Sequence, residues 1–171
     1  MKINKKDISI ILMLLVVGGI YGFIYETIFY KIDLGYFVKR GTSFGPWIPI
    51  YGFGSVIIYL CTRKYKKNPF IVFLICAISS FLLEFLTAYI LFNYFDIRLW
   101  DYNNEIWNYG NIGGYVCLRS VSFFAISGLL LVYLIEPTLR KIYNKYPKPF
   151  AYTSYILSSL FMLDYIINIF I

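Results

Sequence analysis

The sequence predicts an all-α fold, an integral membrane bundle of about five transmembrane helices, and three observations predict it. Hydrophobic residues make up 60% of the 171-residue chain, against about half in a soluble domain. Charged residues fall to 15%, where soluble chains carry about 25%. The apolar excess is gathered into runs long enough to cross a bilayer, separated by short polar or basic connections. The length suits one transmembrane domain covering residues 1–171.

The first run, about 8–30, follows Lys2, Lys5 and Lys6 and is long enough to span with some tilt. A secretory signal would have a shorter apolar core and a small-residue cleavage site, so this segment is read as helix 1. Lys31 to Phe44 is a polar connection, and helix 2 is expected over 45–62. Arg63-Lys64-Tyr65-Lys66-Lys67-Asn68 forms a tight basic loop before helix 3 at 69–95, where Pro69 suits a first helical position. Asp96 to Gly110 is a second polar loop carrying Trp100, Tyr102, Trp107 and Tyr109, as expected at a membrane interface. Helix 4 is expected over 111–136, starting at Asn111 or Gly113, then a basic connection from Pro137 to Pro149, then helix 5 over 150–171.

Five spans put the termini on opposite sides. With the N-terminus inside, the inner side holds Lys2, Lys5, Lys6, Arg63, Lys64, Lys66, Lys67, Arg140, Lys141, Lys145 and Lys148. The outer side holds only Lys31, Lys39, Arg40 and Arg98. Basic residues concentrate on the cytoplasmic side of membrane proteins, so the N-terminus is read as inside, the C-terminus as outside, and both polar loops as facing outward.

The net charge of +7 does not point to nucleic acid, because the basic residues flank apolar runs and form no basic face with interleaved aromatics. Histidine is absent, which removes His-ligated metal sites and His general bases. Cys61, Cys76 and Cys117 lie within or at the ends of apolar runs with no CxxC, so packing is their expected role. No metal or cofactor site is read.

Glu26 in helix 1 and Glu84 in helix 3 interrupt apolar runs. A charge at membrane depth costs roughly 2.5 kcal/mol or more, so each either faces the bundle with a partner or serves a substrate or proton. Arg40, from the outer loop, and Arg119, early in helix 4, are the natural partners. Gly45-Pro46-Trp47-Ile48-Pro49 cannot be regular helix throughout, because Pro49 removes a donor and disfavours helical backbone at Ile48. Gly41, Gly45, Pro46, Pro49, Gly52 and Gly114 are expected to shape the backbone. The entries to helices 2 and 4 would aim N–H groups at the outer vestibule, giving with the arginines an anion-friendly site; a re-entrant bend used for close packing is the other reading. In the second loop Asp101 could accept from Arg40 or Arg119, Tyr102 joins the same cluster, and Asn111 could cap helix 4. Asp164, near the outer end of helix 5, is expected to be solvated.

Gly22-Phe23-Ile24-Tyr25-Glu26, Arg40-Gly41 through Gly45-Pro46, and Pro49-Ile50-Tyr51-Gly52-Phe53-Gly54 together resemble the signature of a family of small bacterial membrane proteins labelled type IV ABC-transporter permeases. Glu84, Trp100-Asp101-Tyr102 and the stretch from Asn111 to Leu118 resemble its later motifs, and Lys39 stands where the family pattern has Asn. The resemblance implies a multi-pass permease of the bacterial cytoplasmic membrane working with a separate ATPase subunit. No GxxxxGK[ST] is present, so this chain has no P-loop of its own. Five helices make a thin permease, so self-association or a second subunit is expected if it transports. A small membrane-embedded enzyme acting on a lipid or envelope precursor, with carboxylates and an arginine as its chemistry, and a non-catalytic membrane partner are the competing readings. No nucleophile and base pair is readable, which counts against the enzyme.

Overall fold

The computed structural model describes residues 4–170; Lys2, counted above as an inner basic residue, and Ile171, the last residue of the fifth expected helix, lie outside them. Among the described residues the fold is all helical, with one isolated bridge between Ile112 and Val116.

Helix α1 runs Lys5–Leu34. It starts earlier than expected because Asn4 and Asp7 form a reciprocal capping box, side chain to backbone in both directions. It ends later because Gly35, at φ 81°, supplies the left-handed cap. Helix α2 is only Pro49–Thr62. Ile48 is extended at φ −115° and ψ 117°, the conformation a residue before proline prefers, so residues 45–48 are not helical. Helix α3 covers Pro69–Phe95, and the Asn68 side chain accepts from Phe70 and Ile71 at its start.

Helix α4 begins at Leu118, not at Asn111 or Gly113, because Gly113 and Gly114 both have positive φ and turn the chain before Cys117 caps the helix. It continues to Lys145. Pro137 does not stop it: a π-turn over Leu131–Ile135 precedes the proline, and the Glu136 N–H reaches back to Leu131. Such a register change absorbs a residue within a helix. The expected basic connection therefore shrinks to the break at Tyr146, and α5 runs Pro147–Phe170. Four helices (α1, α3, α4 and α5) are long and apolar enough to cross a membrane; α2 is the short one.

The helices alternate in direction, so each end of the bundle has its own character. At the basic end, Lys66 and Arg140 both bond Glu136, and Arg140 also reaches Asp7 at 3.1 Å and the Tyr59 hydroxyl at 2.7 Å. At the loop end lie residues 35–48 and 96–117 and the C-terminal part of α5.

Close packing centres on α1. Its Gly18 and Gly22, four residues apart, face α2: a Cβ on Gly18 would lie 2.0 Å from Ser55 Oγ, and one on Gly22 would lie 2.1 Å from Tyr51 Cγ. Small residues at this spacing let helix backbones approach where lipid offers no hydrophobic drive. One core cluster joins Ile10, Leu14, Tyr59, Val72 and Val132 toward the basic end. Another joins Leu15, Val16 and Phe161, with Trp47 and Phe53 packed on it.

Candidate functional site

The first four residues of the expected second helix, 45–48, are not helical. Residues 44–48 descend as irregular chain, and the Ile48 N–H donates to the Gly19 carbonyl at 3.0 Å, in the middle of α1. Ile48 is buried. Irregular backbone at membrane depth is tolerated where protein buries it, as it does at Ile48. The segment is anchored by Asp164 of α5, whose carboxylate accepts from the N–H groups of Phe44 at 3.0 Å and Gly45 at 2.8 Å and from the Trp47 indole at 2.7 Å. Asp164 is therefore a buried anchor and not the solvated group expected.

Beside the start of α2 lies a small cavity with about 30 Å³ of water-sized space, enough for a water or two. Its polar lining is Glu26, Glu84, Glu105, Arg119 and Ser120; its aromatic walls include Tyr25, Tyr51, Trp100 and Tyr102. Each carboxylate is held differently. Glu26 pairs with Arg40 at 3.0 Å, and the Arg40 guanidinium lies 3.6 Å from the centre of the Tyr30 ring. Glu105 accepts from Arg119 at 2.5 Å and from the Tyr30 hydroxyl, and Arg119 stacks over Phe29 at 4.0 Å. Glu84, 3% exposed, accepts from the Tyr102 hydroxyl at 2.6 Å and from Ser120 Oγ at 2.7 Å, and it forms no ion pair among the described residues. Burial and the adjacent Glu84 carboxylate hold the Tyr102 phenol well above its usual pKa, so Tyr102 is a donor here.

The structure thus brings together Glu26, Arg40, Glu84, Tyr102 and Arg119. Asp101 and Asn111 stay apart from the cavity. Asp101 pairs with Arg98 at 2.5 Å, not with Arg40 or Arg119, and also accepts from the Asn103 N–H. Burial raises its pKa, but the Asn103 N–H and the Arg98 guanidinium outweigh that and leave it below the usual carboxyl value. Asn111 accepts from the Gly114 N–H at 2.8 Å and donates to Asn103 at 2.7 Å, so it pins the loop and does not cap α4, whose cap is Cys117. Gly114, at φ 79°, fits because a Cβ there would lie 2.4 Å from Asp101 Oδ1. Gly41 also has positive φ, Pro49 opens α2, and Gly52 lets α2 pack on the Leu15 carbonyl. A Cβ on Gly45 would strike the Trp47 ring, and Pro46 joins the two. Glu105 and Tyr30 are site residues that the sequence reading missed.

An all-helical bundle with long apolar helices and a polar cavity beside a broken span defines a membrane-protein class. Residues 13–169 match the family described as "Putative ABC-transporter type IV", and the chain belongs to that family. No curated protein and no solved structure matches it.

Proposed function

We propose that this protein is the membrane-embedded permease component of a bacterial transporter, with the cavity of Glu26, Glu84, Glu105 and Arg119 as its outward-facing ligand site. The observation that carries this reading is the late start of α2, with irregular chain in place of its first turn. Transporter sites form where a helix is broken near mid-membrane, because the freed helix end and polar side chains then face the ligand. Here α2 starts at the depth of Gly19, and its first residues, Ile50 and Tyr51, line the cavity. Family membership supports a transport role. The basic residues around Lys64, Lys67, Lys141 and Lys148 support placing the opposite end in the cytoplasm of a bacterial cell membrane.

The chain lacks a P-loop, so hydrolysis would come from a separate ATPase subunit docking on that basic end. Five helices around one small cavity also favour a second copy or another membrane subunit. The test is a gentle-detergent purification of the tagged protein from its native membrane, read by mass spectrometry. A stoichiometric ATPase is expected. Recovery of the protein alone or only with itself would reject the ABC assignment.

A further inference from the structure

The cavity holds an imbalance of charge. Three carboxylates line it, Glu26, Glu84 and Glu105. Two guanidinium groups answer them, Arg40 on Glu26 and Arg119 on Glu105. Glu84 is left with hydroxyl donors alone. Hydroxyl donors offset a buried carboxylate only in part, the more so as Ser120 also faces the Cys117 carbonyl, and a buried charge with no cation bonded to it is costly. Each oxygen of Glu84 still has a free lone pair, since a carboxylate offers about four acceptor sites. The cavity beside it is walled by aromatic rings, among them Tyr51, Trp100, Tyr102 and Phe124.

We infer that this cavity takes the ammonium group of a small cationic ligand, held by Glu84 and faced by the aromatic rings. This rests on reading the cavity as a ligand site. Two features of the protein itself support it. The cavity region already binds cations in this manner: Arg40 lies on a carboxylate and the Tyr30 ring, and Arg119 on a carboxylate and the Phe29 ring. An ammonium at Glu84 would repeat that arrangement at the one carboxylate that lacks it, with rings attracting the cation through their faces. The water-sized space suits an ammonium head group. A hard divalent ion asks for about 6–8 oxygen ligands, and no cluster of three or more metal-ligating side chains exists among the described residues. Both guanidinium groups pair with carboxylates, and the buried Arg119 Nε is the one cavity donor that no hydrogen bond among the described residues meets, so competition by acetate is the control for an anionic ligand.

The test is equilibrium binding of radiolabelled methylammonium to the purified full-length protein at fixed pH, with ammonium and acetate as competitors. Saturable binding at one site per chain is expected, displaced by ammonium and unaffected by acetate. Glu84→Gln should weaken it at least tenfold with an unchanged or raised melting midpoint, while Asp96→Asn, an exposed carboxylate, should bind normally. No saturable binding by the wild-type protein, equal binding by Glu84→Gln, or displacement by acetate would overturn the inference. So would a thermal shift reproduced by acidification with no dependence on methylammonium, which would make a proton the missing charge. Should Glu84→Gln fail to fold, the wild-type competition decides alone. Binding is read without any transport partner, so failure to recover an ATPase leaves this result standing. Absence of binding, in turn, leaves the permease reading open to a ligand of other charge.

Discussion

The Ile48 N–H donates to the Gly19 carbonyl at 3.0 Å, so the chain after α1 returns to the middle of α1 before it becomes helical again. Glycines at 18 and 22 let α2 lie against α1. Asp164 ties the descending segment to α5. The space left above the start of α2 is filled by the carboxylates and rings of the cavity.

If the α1–α2 contact depends on absent side chains, adding one methyl there should be costly. Gly18→Ala and Gly22→Ala place a Cβ 2.0 Å from Ser55 Oγ and 2.1 Å from Tyr51 Cγ. Each should cost about 1–3 kcal/mol, the usual penalty of overpacking. The loss should appear as a lower unfolding midpoint in detergent, whereas Ile28→Ala, at an exposed position, should change it by less than about 0.5 kcal/mol.

Arg119 and Glu105 form an ion pair with side chains only 15% and 6% exposed. Removing one partner leaves the other charge buried, which costs about 3–5 kcal/mol. Arg119→Ala and Glu105→Ala should each approach that loss, and the double variant should lose clearly less than their sum. A double-mutant cycle on unfolding free energy measures the coupling; strict additivity would show that the pair is not formed.

Asp164→Ala strands two backbone N–H groups and the Trp47 indole N–H. These donors are only partly buried, so the loss should fall toward the lower end of the roughly 1–3 kcal/mol that unmet buried donors cost. Hydrogen exchange at Phe44 and Gly45 should quicken and Trp47 emission should shift to the red, with the basic end unchanged. Unaltered exchange at these two amides would mean that the carboxylate does not anchor the segment.

The second loop should show an acid limb. The folded pKa of Asp101 lies below its ordinary value, so its contribution is complete above the unfolded carboxyl value, about 3.9. It is then lost as the pH falls through the lower folded value. Exchange at Asn103, whose N–H bonds Asp101, should therefore rise below about pH 4. In Asp101→Asn that acid-dependent rise should be absent.

Helix number and the intramembrane charges were legible because both are read from composition and runs. Glu26, Glu84 and Arg119 stand out against apolar neighbours, and Pro49 marked the late start of the second helix. The partners were less legible. Asp101 and Glu105 sit four residues apart in one polar loop. Only the turn at Asp101, fixed by Arg98 and Asn103, decides that Glu105 is the one to meet Arg119. Pro137 misled because a π-turn, which depends on packing, lets the helix pass it. The Gly18 and Gly22 contact and the Asn4 to Asp7 capping box carried readable signals, a small-xxx-small spacing and an Asn three residues before an acid, that the sequence reading did not use.

The central claim is that a break in the second span opens a polar site to the outer side of the membrane. It is tested most directly by thiol accessibility in intact cells. In a background with Cys61, Cys76 and Cys117 replaced, Ile50→Cys, at the start of α2 in the cavity lining, should react with a small membrane-impermeant thiol reagent added outside. Lys64→Cys, in the basic loop, should react only after the membrane is permeabilised. Labelling of Lys64→Cys from outside, with Ile50→Cys protected until the membrane is opened, would contradict the account.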